Sequence, residues 1–326
     1  MDAKISLEPF IAEVQKKGLN MRSVLVHQEG REQASFYWEN HSSCRWSNNI
    51  YSASKSVACL GIGAAVDEGI LSLEDRPLDF FADEVEGTPS AFLEKLTLRH
   101  LLTMTAGYEH KTPGMGWASY ERDQMPNWIH NAMNIPIAEE PGTTFYYNNV
   151  APYVASAMLS KKTGLRLVDF MKPRIFTPLG ILNPQWLTSP EGYDAGAGSL
   201  LLSPAQMMSI GRLLLHEGNW QGTQLVSKEW LREATKIHSI PQKPKLPPGM
   251  PPLPSTPGAE DYWTGYGYFF WINHDKTSYR AIGNGCQLIL VLPEEQAVVV
   301  TTADEGQGQM TFMDSVWKTI YPLLQK

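Results

Sequence analysis

The stretch Ile50-Tyr51-Ser52-Ala53-Ser54-Lys55-Ser56-Val57 opens an apolar run, rich in alanine and glycine, that continues to Gly69. Its composition predicts a helix over residues 54–68, stopped by Gly69. In a helix, positions i and i+3 share one face. Ser52 then stands in the first turn with the Lys55 amine beside its hydroxyl. A serine hydroxyl is a poor nucleophile until a neighbouring base takes its proton. A lysine serves as that base only when burial or nearby cations lower its pKa. The helix N-terminus adds partial positive charge and unpaired N–H groups, both of which favour an oxyanion. Taken alone, Ser-x-x-Lys also fits a capping serine followed by a solvated lysine. The rest of the chain decides between the two.

Upstream of this helix, residues 5–17 carry an apolar stripe at Ile5, Leu7, Phe10, Ile11 and Val14, which predicts a helix. Residues 21–27 and 34–38 read as strands joined by a turn at Gln28-Glu29-Gly30-Arg31. Downstream, residues 73–187 are helical in pattern. They include a short helix within 96–104 and a longer one over 150–161, entered from a Pro141-Gly142 turn. Helices follow at 204–215 and 227–234, then strand patterns at 265–272, 287–292 and 297–302, and a last helix at 310–324. Helix–strand–strand at one end and strands–helix at the other predict an α+β fold: one antiparallel sheet built from both chain ends and flanked by helices. The expected division is an α/β lobe of residues 1–72 and 190–326, with an inserted all-helical lobe of residues 73–189. A cleft between lobes is the usual place for a site. Two irregular segments are expected to rim it: 108–126, rich in glycine, proline and aromatics, and 241–257, dense in proline.

The 326 residues are 43% hydrophobic and 19% charged, a globular composition. A net charge of -7 argues against nucleic acid as a partner. Cys44, Cys59 and Cys286 show no metal-ligand spacing, and an odd count without a framework suits a reducing compartment. No metal or other cofactor is expected. The first 18 residues lack the basic start and apolar core of a signal peptide, and no run is long enough to span a membrane. The cytoplasm is therefore the expected compartment, unless a leader has been removed.

A second polar group, Tyr147-Asn148-Asn149, precedes the helix at 150–161 and overlaps Tyr146-Tyr147-Asn148. The Pro141-Gly142 turn followed by Phe145 favours the later register. Tyr147 then relays protons at the serine, while Asn149 hydrogen-bonds Lys55 and a substrate carbonyl. The plain alternative is a turn asparagine beside a core tyrosine.

This combination resembles the serine hydrolases of the β-lactamase and penicillin-binding-protein superfamily, in the class C-related branch of esterases, D-aminopeptidases and 6-aminohexanoate-dimer hydrolases. The ordered landmarks are Ser52-Ala53-Ser54-Lys55, residues 96–107, Pro141-Gly142 through Asn149, Gly196-Ala197-Gly198-Ser199-Leu200, and Gly283-Asn284-Gly285-Cys286-Gln287. The resemblance implies Ser52 as nucleophile, with Lys55 and Tyr147 as general base and acid. It also implies an oxyanion hole from the N–H groups of Ser52 and Asn284, and a small ester or amide as substrate.

The third motif of that superfamily, Lys/His-Thr/Ser-Gly on a cleft strand, is altered here. Lys162-Thr163-Gly164 reads as an ordinary helix end, and Lys276-Thr277-Ser278 falls in a hairpin turn. The equivalent is then Ala281-Ile282-Gly283, with Arg280 next door as the nearest candidate to bind a substrate carboxylate. Neighbours on a strand point to opposite faces, so Arg280 is no automatic substitute. The expected enzyme favours esters and neutral amides. A β-lactamase or D-amino-acid peptidase is the enzymatic alternative, and a non-catalytic ligand-binding protein on the same fold is the alternative of another class. His100 and His216 read as packing or surface residues. Trp117, Trp128 and Trp271 read as core aromatics that also suit a cleft wall.

Overall fold

The chain's computed structural model describes residues 5–38, 47–109, 124–244, 252–304 and 309–325. Most of the expected rim segment 108–126, the middle of 241–257, Cys44 and Trp117 lie outside the described residues. The helices in chain order are α1 (Glu8–Lys16), α2 (Ala53–Asp67), α3 (Pro77–Phe81), α4 (Ala91–Lys95), α5 (Leu98–Leu102), α6 (Trp128–Met133), α7 (Val150–Thr163), α8 (Leu167–Met171), α9 (Pro204–Leu215), α10 (Lys228–Ala234), α11 (Pro257–Glu260), α12 (Gln309–Thr319) and α13 (Tyr321–Leu324). The strands are β1 (Met21–Gln28), β2 (Arg31–Tyr37), β3 (Asn48–Asn49), β4 (Gln185–Trp186), β5 (Leu200–Leu202), β6 (Asn219–Trp220), β7 (Thr223–Gln224), β8 (Gly265–Tyr266), β9 (Trp271–Ile272), β10 (Tyr279–Gly283), β11 (Gln287–Leu292) and β12 (Ala297–Ala303).

Seven strands form one antiparallel sheet in the order β2-β1-β12-β11-β10-β9-β8. Both chain ends therefore meet inside the sheet, at its second and third strands, where β1 pairs with β12. The strand period of two sorts the side chains onto two faces. Val24, Val26, Leu288, Leu290 and Val299 point to the terminal helices, where Phe10 of α1 meets Phe312 of α12 edge-on at 6.4 Å. Each fully buried aromatic of this kind contributes about 2–3 kcal/mol. Leu25, Ile289, Val291, Val298 and Val300 point to the other face, which carries α2, α9 and the helices of the middle of the chain. Gly211 of α9 lies so close to Val298 and Ile289 that a Cβ there would touch both.

Helix α2 is buried on all sides from Ala53 to Ala65. An all-round apolar helix belongs in an interior, and its small residues let neighbours approach. Gly61 faces Met171 and Leu167, and a Cβ on Gly63 would collide with the Trp230 indole. The turn ahead of α2 is tied down by a small sheet, β3-β5-β4, and by the Ile50 N–H donating to Leu200 O at 3.0 Å. Tyr51, just before the serine, is left-handed at φ 46°. That backbone costs a non-glycine residue on the order of 1 kcal/mol and is held by its surroundings.

Three elements depart from the sequence expectation. Residues 265–272 are a hairpin of β8 and β9 rather than one strand. The reversal is fixed by Gly267 N–H bonding Phe270 O at 2.9 Å and by Phe269, at φ 60°, donating to Leu102 O at 3.0 Å. Tyr266, Tyr268, Phe269 and Phe270 are all buried, so no alternation marks the turn. Residues 279–283 add a strand. The last helix is broken into α12 and α13, with Pro322 at the start of the second. Lys162-Thr163-Gly164 is indeed a helix end, with Gly164 left-handed at φ 72°.

Candidate active site

Ser52 is the N-cap of α2, yet its hydroxyl makes no capping bond. It is instead the acceptor for Lys55 Nζ at 3.0 Å. The same amine donates to Asn149 Oδ1 at 2.7 Å and to the Ala197 carbonyl at 2.8 Å. Three acceptors match the three N–H bonds of an ammonium. Lys55 is 1% exposed, and burial disfavours its charged form, bringing its pKa down to about 7. Once neutral, the amine keeps two donors for Asn149 and Ala197 and presents a lone pair to the Ser52 O–H.

The Tyr147 hydroxyl hydrogen-bonds Ser52, and its ring lies 4.8 Å from Lys55 Nζ. Burial pushes its phenol above the usual range, opposed by the Ser52 bond. The phenol therefore keeps its proton near neutrality, and Lys55 is the member of the pair that changes charge there. The Tyr147 ring is held by Trp271 at 5.4 Å and Tyr266 at 6.1 Å. Asn148 is turned away: its Oδ1 accepts from Ala151 N at 2.8 Å and so closes the first turn of α7. Tyr147 and Asn149, not Tyr146 and Asn148, are the residues next to Lys55.

Gly283, the last residue of β10, abuts the turn before the serine. A Cβ there would collide with the Ile50 carbonyl oxygen and stand 3.0 Å from Ser52 N. Among the described residues the Ser52 N–H has no acceptor. Gln309 Nε2 donates to Gly283 O at 3.2 Å, and Gln309 Oε1 accepts from the Tyr262 hydroxyl at 2.9 Å. In a planar trans peptide the C=O and the next N–H point oppositely. Gln309 thus turns the Asn284 N–H to the other side of the strand. β9 pairs with β10 only at Tyr279 and Arg280, so residues 281–283 have no strand partner on that edge among the described residues.

Arg280 is not brought to Ser52. It pairs with Leu290, whose side chain packs toward the terminal helices, and it is 0% exposed. Its guanidinium donates to Asp261 O at 3.3 and 3.2 Å and to Asn273 Oδ1, and lies 4.8 Å from the Tyr262 ring. Asp261 in turn accepts from His274 Nδ1 at 2.8 Å and Trp317 Nε1 at 2.7 Å. Arg280 is the cation of a buried polar cluster behind the aromatic wall, and its side chain has no surface for a substrate.

Ser52, Lys55, Tyr147 and Asn149 are thus drawn together, with Gly283 against them. Trp271 lines the aromatic wall, whereas Trp128 is a core residue packed on Tyr153 at 5.5 Å. His100 takes part in a capping box with Thr97. Three contributors escaped the sequence reading. Ala197 acts through its carbonyl and has no side-chain signature, although its Gly196–Leu200 neighbourhood had been marked. Tyr262 and Gln309 sit in stretches without a motif. Among the described residues no group of His, Cys, Asp and Glu is arranged to hold a metal ion.

Residues 49–313 match the family profile described as Beta-lactamase. The chain is 26% identical to the lovastatin esterase of Penicillium rubens over 187 residues, 52% of this chain and 46% of that protein, so it spans under half of that relative's length. Among solved structures it superposes on the octameric penicillin-binding protein homologue from Pyrococcus abyssi with a TM-score of 0.71 at 20% identity, covering 97% of this chain and 76% of that one. It also superposes on EstCE1, a hydrolase with promiscuous acyltransferase activity, with a TM-score of 0.71 at 15% identity, covering 96% and 98%. At such identities these two superpositions speak for the fold alone. The family match, by contrast, runs over well more than half of the sequence, and the chain therefore belongs to the Beta-lactamase family.

Proposed function

We propose that this chain is a serine hydrolase that cleaves an ester or amide through an acyl-enzyme on Ser52. The observation that carries this reading is the buried Lys55 amine, 3.0 Å from the Ser52 hydroxyl and half neutral near pH 7. Neutral Lys55 takes the serine proton as Oγ attacks the carbonyl. The oxyanion is held by the N–H groups of Ser52 and Asn284. Collapse breaks the bond to the leaving alcohol or amine, which takes a proton from the Lys55–Tyr147 pair. Water then attacks the acyl-enzyme and gives a proton to the pair; the bond to Ser52 Oγ breaks, Oγ takes that proton, and the acid is released.

The preferred substrates are esters and uncharged linear amides. β-Lactams and C-terminal D-peptides present a carboxylate near the scissile bond, and Ala281, the β10 side chain on the α2 face beside Gly283, offers it no charge-assisted partner, while Ile282 packs toward the terminal helices. Burying that carboxylate against apolar side chains costs free energy. Labelling with a fluorophosphonate probe, followed by kcat/KM for a short-chain ester, a linear amide and a cephalosporin, tests the proposal. Labelling that vanishes in Ser52→Ala, with the ester fastest, is the expected result. Labelling that persists in that variant removes Ser52 as nucleophile, and a cephalosporin rate equal to the ester rate removes the substrate preference.

A further inference from the structure

At the far end of β10 from the serine, a groove of about 850 Å³ opens between α9, the β6–β7 hairpin and α10. Such a volume is in the range of small-molecule sites. Tyr279, at the opposite end of β10 from Gly283, forms part of its wall. Its lining holds Arg212, Arg232 and Glu217, a sum of +1 with His216 neutral, in a chain of net charge -7. Glu217 is already engaged, by Lys228 and by Arg232 at 2.9 Å. Arg212 has no such partner among the described residues. Its guanidinium lies 5.0 Å from the Trp220 ring centre, and its Nε is buried without an acceptor.

A second observation lies beneath it. His27 projects from β1 on the same face as Leu25, toward α9, and its buried Nδ1 has no partner among the described residues. Burial first, and then the nearby Arg212 and His216, disfavour protonation of His27, which places the three side chains near one another. A backbone hydrogen bond at Gly30 and the Glu32 carboxylate act in the opposite sense. The Arg212 guanidinium, with a buried Nε that has no acceptor among the described residues, beside a cavity with an aromatic wall, suits an anion. The guanidinium fork suits the two oxygens of a carboxylate or phosphate, and Trp220 and Tyr279 suit a flat apolar body.

We propose that this groove is a second binding site, separate from the catalytic serine, for a small organic anion that carries a carboxylate or phosphate on a planar ring. Arg212 grips the anionic group and Trp220 stacks on the ring. The test titrates the full chain with benzoate, phenyl phosphate and benzamide, read by calorimetry and ligand-observed NMR. At least one anion is expected to bind at least about tenfold more tightly than neutral benzamide, because only the anion forms charge-assisted bonds. Which anion wins assigns the head group. Arg212→Gln is expected to weaken that anion at least about tenfold, with thermal midpoint and ester hydrolysis unchanged. Trp220→Leu, which spares the charge, is expected to weaken binding as well and serves if Arg212→Gln does not fold. The proposal is overturned if neither anion binds at about 10 mM, below which even weak fragments register. It is equally overturned if benzamide binds as tightly as the anions, or if both folded variants bind like the unmodified chain, which would place the ligand in the catalytic cleft.

Discussion

Asn149→Asp should move the pH at which the enzyme switches on. Asn149 Oδ1 lies 2.7 Å from Lys55 Nζ, and aspartate has nearly the same shape with a full negative charge. A carboxylate at that range raises an amine's pKa by roughly 1 to 3, so Lys55 moves from about 7 to roughly 9. The neutral fraction at pH 7 then falls from about one half to about one hundredth, a loss of roughly fiftyfold in working base. The assay is kcat/KM on a short-chain ester between pH 5.5 and 10, which reports the pKa values of the free enzyme. The unmodified chain should rise through about pH 7 and level off. The variant should be depressed at pH 7, rise through roughly pH 9, and recover most of its rate by pH 10. Loss of a substrate contact at Asn149 would lower the whole curve without moving it, so the inflection isolates the charge effect. Lys55 and Tyr147 share hydrogen bonds to one serine, and the inflection belongs to that pair. An unmoved inflection would refute the assignment of Lys55 as the group whose deprotonation limits the rate.

Three further outcomes follow from the same geometry. Burial lowers the folded-state pKa of Lys55, so the unfolded chain binds more protons between about pH 7 and 10.5. Stability therefore rises with pH through that window, and the full cost, at most about 5 kcal/mol, is present below it. Lys55→Met should flatten that slope in denaturation midpoints. At pH 7 it should change stability by between about 1 kcal/mol of loss and about 3 kcal/mol of gain, because the relieved burial cost is set against two orphaned acceptors at about 1–3 kcal/mol each; a variant with the same slope would show that Lys55 is not buried in this state. Gly283→Ala drives a methyl into the Ile50 carbonyl and toward Ser52 N, and should lower kcat by about 100-fold or more with less effect on KM, as for a lost oxyanion donor; unchanged kcat would detach this strand end from the chemistry. Arg280→Met breaks the buried cluster with Asp261 and Asn273, and should cost about 3–5 kcal/mol in chemical denaturation without a selective loss on carboxylate-bearing substrates; such a selective loss would put Arg280 in the cleft.

Much of the architecture is legible locally, because local rules set it. Glu29 and Gly30 make a left-handed hairpin turn between the two expected strands, with Gly30 taking up positive φ at no steric cost. α9 spans the expected 204–215, opened by a Ser203–Gln206 capping box. β11 spans the expected 287–292, where a strand buried on both faces reads as a continuous apolar run. The aromatic run at 265–272 fails for the same reason: when every residue is buried, alternation carries no information about a reversal.

The site divides along the same line. Ser52 and Lys55 meet because helix geometry places positions three apart on one face, and that much is written in the sequence itself. Asn149 reaches Lys55 across 94 residues of chain, and the Ala197 carbonyl reaches it across 142. Neither meeting has a local cause. The lowered pKa that makes Lys55 a base comes from burial beneath Tyr147 and the helices around α2, and no spacing of residues encodes a dielectric. The side to which Arg280 turns was open until β10 acquired partners, because a one-residue change of register exchanges the two faces of a strand. Sequence alone determined which groups are available and which of them are neighbours along one helix. Tertiary packing decided which distant groups meet them, and how little water reaches the amine, because both depend on contacts between segments far apart in the chain.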